Sequence, residues 1–279
     1  MVIGMAAILA FTVLIFLGGN WLQTTAYEIR SSRIPASFDG YCIVQVSDLH
    51  KQRFGKHQFR LTRAIRNARP DLIAITGDLT YLGSWNAKDI EYLARQLKDI
   101  APVFFVSGNH DVHSDDLPRL LDQLRGYGIQ VLEGESTVIS RGTESITVAG
   151  IQDPRAFRHQ GGMGRTIDRW KAALASLRES LGDRYTVLLS HRPEFFAQYA
   201  DLGFDLVLSG HAHGGQIRLP FVGALYAPDQ GWLPRYASGI HVRGETMMIV
   251  SRGLGNSWFR IRVFNRPELV VIRLRKSAD

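Results

Sequence analysis

The sequence predicts an α/β fold: two mixed β-sheets sandwiched between helices. Three observations predict it. Strand-length apolar runs alternate with helix-patterned stretches, strands dominate from residue 216 onward, and five short polar blocks stand where strands should end. In open α/β sheets ligands gather at the carboxyl ends of strands, so blocks distant in sequence can share one site.

The chain opens with an uncharged run over residues 2–22. At about 1.5 Å per residue this can cross roughly 30 Å of hydrocarbon, with Trp21 at headgroup level. Residues 1–24 are therefore predicted as a transmembrane anchor. A cleaved signal peptide is the competing reading; it normally carries a basic leader, and only the α-amino group precedes this run. Arg30 and Arg33 follow the span, and the positive-inside tendency places the main domain in the cytoplasm. Residues 25–40, polar and broken by Pro35, read as a linker, and residues 41–279 as one domain.

Within that domain, residues 41–46 form a buried strand ending at Asp48. They include Cys42, the chain's one cysteine, so no internal disulfide can form. Residues 58–69 have helical spacing, with Phe59, Ile65 and Ala68 on one side, and stop at Pro70. Residues 72–75 are a strand ending at Gly77-Asp78, 89–100 a helix, and 103–106 a strand ending at Gly108-Asn109-His110-Asp111. Next come a helix at 117–124, extended runs at 129–132 and 146–151, and a glycine-rich loop at 158–164. A helix at 167–181 leads to a strand at 186–189 that ends at Ser190-His191. A short helix at 195–200 precedes a strand at 206–208 ending at Gly210-His211-Ala212-His213. Extended segments at 216–219, 246–250, 259–263 and 269–274 complete the chain.

Singly, most of the blocks carry little: Gly-Asp is commonly a turn, and a lone histidine is commonly structural. The Gly-His-Ala-His block says more, because positions i and i+2 can serve one site where the chain leaves a strand. Together the five blocks supply the carboxylates of Asp48 and Asp78, the amide of Asn109, and the imidazoles of His50, His191, His211 and His213, with His110 left over. That is a ligand set for two neighbouring divalent cations, which activate water and neutralise phosphoryl oxygens. Oxygen and imidazole donors without thiolate fit Mn²⁺, Fe or Zn²⁺ and argue against Ca²⁺ and soft metals.

In the order and placement of these blocks the chain resembles the calcineurin-like metallophosphoesterase superfamily over residues 41–275. The stretch 210–220, with Ser251-Arg252-Gly253-Leu254-Gly255, resembles its bacterial membrane-associated branch. The resemblance implies the two-sheet fold of that superfamily and a role for each residue. Asp48, His50 and His213 hold the first metal, Asn109, His191 and His211 the second, and Asp78 bridges both. His110 protonates the leaving oxygen, and Asp111 orients His110. It further implies an enzyme cleaving phosphodiester or pyrophosphate bonds, UDP-2,3-diacylglucosamine among the substrates; a general cell-envelope phosphodiesterase with an extracytoplasmic domain, a nuclease and a non-catalytic metal-bound scaffold are the alternatives, and the apolar run makes the chain a single-pass protein of the inner membrane. Arg192 is less typical of the family and reads as an added substrate contact.

The net charge is +7, with much of the excess in Arg252, Arg260, Arg262, Arg266, Arg273, Arg275 and Lys276. This fits an anionic, phosphate-containing partner or a lipid headgroup surface. No nucleic-acid-binding module is present by motif, and no nucleic acid partner is expected. Asp153, within an Asp-Pro pair, reads as a turn, and His57, His113, His159 and His241 as structural or surface residues.

Overall fold

The computed structural model describes residues 4–5, 21–82, 84–113, 116–158, 162–256 and 261–278. Two six-stranded mixed sheets face each other. The first runs in the order β1 (Gln23–Ser31), β16 (Glu268–Lys276), β2 (Cys42–Val46), β3 (Leu72–Thr76), β4 (Val103–Val106) and β5 (Gln130–Val131). Its neighbours are parallel except where β16 meets β2. The second runs β14 (Gly239–Arg243), β15 (Thr246–Val250), β9 (Leu206–Ser209), β8 (Thr186–Ser190), β7 (Glu144–Ile151) and β6 (Glu135–Arg141), with antiparallel edges. Two small hairpins, β10 (Arg218–Leu219) with β11 (Gly223–Ala224) and β12 (Tyr226–Ala227) with β13 (Gly231–Trp232), lie between β9 and β14 in the chain.

The central strands read as continuous apolar runs because both of their faces are covered. Side chains alternate across the pleat. Val44, Val46, Ile73, Ile75, Val103 and Phe105 pack with helices α1 (Phe59–Ala68), α2 (Ala87–Lys98) and, beyond the short α3 (Asn109–Val112), α4 (Leu117–Gly126). Ile43, Leu72, Ala74, Phe104 and Val106 pack instead with Val148, Val187, Leu189, Leu206 and Leu208 of the second sheet. The outer face of that sheet is closed by α5 (Gly162–Ser180) and α6 (Phe196–Asp201) through Trp170, Leu174, Phe196 and Tyr199. Each such side chain contributes about 1.5–3 kcal/mol by leaving water. The result is the helix–sheet–sheet–helix arrangement the sequence predicts, and it fixes the strand ends from which the polar blocks emerge.

Several expectations are corrected. The linker assigned to 25–40 is structured: β1 pairs along its whole length with β16, from Gln23↔Glu268 to Ser31↔Lys276. Thr25, Tyr27 and Ile29 turn inward while Thr24, Ala26, Glu28 and Arg30 stay exposed, so this edge strand looks polar in sequence. The predicted anchor at 1–24 lies almost wholly outside the described residues, among which no helix is long and apolar enough to cross a membrane. Helix α1 buries Leu61, Thr62 and Ile65, whereas Phe59 is exposed. Strands β6 and β14 go beyond the predicted elements, because each is a half-exposed edge without a strong apolar pattern. The strand expected at 259–263 reduces, among the described residues, to one bridge between Val263 and Ile217.

Candidate metal centre

All five polar blocks meet at one end of the paired sheets, each leaving the carboxyl end of β2, β3, β4, β8 or β9. Five of the donor residues, Asp48, His50, Asp78, His211 and His213, have positive φ, between 49° and 65°. Non-glycine residues enter this region at a cost of about 1–3 kcal/mol, and such strain gathers at functional sites. Close packing holds it in place. A Cβ on Gly210 would strike Ser47 Oγ and the Asp48 carboxylate, and one on Gly108 would strike the Asp78 carboxylate.

The donor atoms form two groups that share Asp78: Asp48, His50, Asp78 and His213, and Asp78, His191 and His211, each within 4.8 Å. In the first group His50 Nε2 lies 3.3 Å from His213 Nε2, which is 3.4 Å from Asp48 Oδ1. In the second, His191 Nε2 is 3.2 Å from Asp78 Oδ2. Backbone bonds aim these side chains. His50 Nδ1 and His191 Nδ1 each lie 2.8 Å from a carbonyl, of Thr80 and Thr76, which fixes the Nδ1–H tautomer and leaves Nε2 facing the centre. Asp78 Oδ1 accepts the His110 N–H, and Asp48 Oδ1 accepts the His211 N–H.

These residues fit a dinuclear site. Asp78 Oδ2, Asn109 Oδ1 and His191 Nε2 are buried and have no hydrogen-bond partner among the described residues. Buried polar atoms without partners are costly, and a cation would satisfy all three. The electrostatics agree. Burial raises the Asp78 carboxyl, yet His191, His50 and His110 outweigh it and hold it well below its ordinary range. Burial lowers His191, but Asp78 and Asp48 push it up to about 10. The buried carboxylates thus draw positive charge to this point.

The other two predicted residues divide. His110 lines the cavity, its Nε2 4.0 Å from Asp78 Oδ2, with its ring stacked on Tyr81 at 5.0 Å and its Nδ1 accepting the Leu82 N–H. Burial lowers its pKa to about 4. Asp111 does not orient it. The Asp111 carboxylate accepts the N–H groups of Thr80, Gly108 and Leu79, bracing the backbone that carries Asp78 and Asn109. Tyr81 and Leu82 do the orienting, and no motif marks either in sequence.

Arg192 is also corrected. It is buried and paired with Asp153, Glu194 and Asp229, and its Nη1 lies 2.9 Å from His211 Nε2. Asp153 caps the turn at Pro154–Phe157 and anchors Arg192. Asp229, in the β12–β13 turn, places Oδ2 2.9 Å from His211 Nε2. The hydrogen bond from His211, with Arg192 beside it, holds this carboxyl below the usual range. Sequence reasoning missed Asp229, whose Pro-Asp-Gln-Gly setting reads only as a turn. Among the C-terminal arginines, Arg262 is buried, Arg252 pairs with Glu268, and Arg275 with Glu28 and Asp39.

A cavity of about 640 Å³ opens over the centre. Asp78, Asn109, His110, His211 and His213 form its floor, Ile217, Leu225, Tyr226 and Trp232 an apolar wall, and Arg155 a cationic edge.

A two-sheet fold with a shared-aspartate donor cluster defines a metal-dependent phosphoester hydrolase, and comparison with known proteins agrees. The chain belongs to the calcineurin-like phosphoesterase family, whose profile matches residues 42–215. It is 31% identical to the metallophosphoesterase YkuE of Bacillus subtilis, over 94% of this chain and 88% of that protein. It is 30% identical to the phosphodiesterase YaeI of Escherichia coli, over 83% and 81%. A solved structure of TT1561 of Thermus thermophilus shares the fold, with a TM-score of 0.50 at 14% identity over 77% of this chain and 90% of that one.

Proposed function

We propose that the protein hydrolyses a phosphodiester or pyrophosphate bond in a lipid-linked substrate, with UDP-2,3-diacylglucosamine the leading candidate. One observation carries this reading: a single cavity joins the donor cluster to an apolar wall of Ile217, Leu225, Tyr226 and Trp232. A phosphate group attached to an apolar body matches both surfaces. The apolar run at residues 2–22 fits a membrane-held enzyme of the cytoplasmic membrane.

Asp48, His50 and His213 would hold one divalent cation and Asn109, His191 and His211 another, with Asp78 shared. Bound Mn²⁺, Fe or Zn²⁺ ions supply a water acidified toward neutral pH and charge neutralisation of the phosphoryl oxygens. The chain does the rest. With His110 Nδ1 accepting from Leu82, the neutral ring carries its proton on Nε2, on the Asp78 side, where that N–H can hydrogen-bond the leaving oxygen and stabilise its developing charge. Arg155 pairs with no carboxylate among the described residues and is free to take a second phosphate oxygen. Tyr226 and Trp232 offer apolar surface to a substrate body along one side of the cavity.

The test is incubation of the Mn²⁺-loaded full chain with that nucleotide lipid, in parallel with bis(p-nitrophenyl) phosphate. UMP release is expected. Turnover of the soluble diester without UMP release removes the nucleotide lipid and leaves a second reading, a cell-envelope phosphodiesterase; the relative YaeI is named a phosphodiesterase. A topology reporter fused after the C-terminus separates the two, since activity only outside the membrane disfavours the lipid reading.

A further inference from the structure

The two hairpins that wall the cavity carry a second feature on their outward side. Their backbones join in one array: Leu225 N–H bonds Ile217 O, Leu233 N–H bonds Leu225 O, and Arg218 N–H bonds Val263 O. From this array Phe221, Val222, Leu233 and Phe264 project into solvent, Phe221 fully exposed and Leu233 at 66%. A contiguous exposed apolar cluster marks an interaction surface. Behind its tip is a cleft of about 240 Å³ lined by Arg218, Arg235, Val222 and Leu233. Arg218, Arg235 and nearby Arg266 form no ion pair among the described residues, while the one acidic residue of 216–238, Asp229, is turned inward to His211.

Chain geometry points the same way. The apolar run meets the described structure at Trp21, whose ring lies under Arg266 at 4.8 Å. Arg266 also holds Trp21 O and Leu22 O, and Gln23 N–H bonds Pro267 O. Trp21, at the end of that run, therefore sits beside Arg266, two residues from Phe264, whose neighbour Val263 bridges Ile217 of the hairpin array.

We propose that this hairpin face docks on an anionic phospholipid bilayer. Phe221, Val222 and Leu233 enter the acyl boundary, and Arg218 and Arg235 sit at the level of the headgroup phosphates. Trp232 and Tyr226, which wall the cavity, then stand at the interface where such rings are favoured. The inference deepens the lipid-linked reading by setting the cavity mouth at the membrane surface, but Phe221, Leu233, Arg218 and Arg235 mark this face whatever the substrate.

The full chain is reconstituted in phosphatidylethanolamine–phosphatidylglycerol nanodiscs with a nitrobenzoxadiazole label at Phe221→Cys. A reference label is placed at Thr143→Cys, in the β6–β7 turn at the far end of the second sheet, and buried Cys42 stays unlabelled. Emission at position 221 is expected to rise several-fold over position 143, quenched by acyl-chain spin labels and shielded from iodide; Leu233→Cys behaves alike. Aqueous emission at both 221 and 233 overturns the proposal. So does shielded emission that lipid spin labels leave unquenched, since residues 2–20 or a second copy of the chain would then cover the face. Hydrolysis of bis(p-nitrophenyl) phosphate by the same labelled protein reads the hydrolase separately, so failure of docking and failure of the proposed function give different results.

Discussion

Asp229→Ala tests how the second donor group is held. Asp229 Oδ2 and Arg192 Nη1 both lie 2.9 Å from His211 Nε2. A guanidinium only donates, whereas a carboxylate only accepts. With Asp229 present, the proton stays on Nε2 and the lone pair of Nδ1 is left for the group around Asp78 and His191. Without it, Arg192 favours a lone pair on Nε2, which moves the proton to Nδ1 and removes one donor. Loss of such a supporting partner costs about 10–100-fold in metal affinity, or about 1.4–2.7 kcal/mol. The Asp229 side chain is 47% exposed and Arg192 keeps Asp153 and Glu194 as partners, so the fold itself should lose no more than about 1 kcal/mol. The assay is metal content per protein across a chelator series, with Tm read on the same samples. One of two ions should leave at about 10–100-fold lower chelator while Tm holds, and Asp229→Asn should fall between. An alanine variant that keeps both ions at wild-type affinity refutes the reasoning.

Gly210→Ala should displace the Asp48 carboxylate and deplete the first donor group, seen as a lower metal content with the second group retained. His110→Ala should spare metal content and lower turnover by about 10²–10⁴-fold for esters with poor leaving groups, and far less for p-nitrophenyl esters. Full activity on a poor leaving group would rule out a role for His110 at the leaving oxygen. Burial pushes Glu133 up from 4.5 to about 7, against its bonds from Ser107. An acid whose folded pKa is raised contributes its stability in full below pH 4.5 and loses it as pH climbs through about 7. Across that window the wild type should lose about 3 kcal/mol relative to Glu133→Gln in urea unfolding, and equal slopes for the two proteins would disprove it.

The core of this fold was legible because its strands are buried on both faces. Runs such as Val103–Val106 and Leu72–Thr76 announce themselves without context. The edges were not legible, for the opposite reason. Half of β1 faces solvent, and Glu28 and Arg30 disguise a strand as a tether. The donor cluster was legible because glycine, aspartate and histidine recur at strand ends, and the structure brings all seven expected donors to one end of the sheets. What holds those donors was hidden. Asp229 lies 18 positions beyond His211 on a hairpin, and Arg192 meets Asp153 from 39 positions away. Such contacts depend on how loops fold back, and loop residues carry no periodicity to read.

The left-handed residues explain why the scaffold and the site are inseparable. A strand that continued past Val46 would alternate its side chains across the two faces of the first sheet. Reversal at Asp48, Asp78 and His211 instead ends the ladder and turns three strand ends toward a common point between the sheets. The cost of that reversal is met locally by backbone bonds, as from Asp48 N–H to Gly77 O and from His50 N–H to Asp78 O. Those bonds link neighbouring strand ends to each other, so no loop can relax alone. The same lattice positions Asp111, whose carboxylate spans the loops after β3 and β4. A donor set built this way is cross-linked through its backbone. Cross-links of this kind would oppose the spreading of the loops that two like-charged cations side by side would favour.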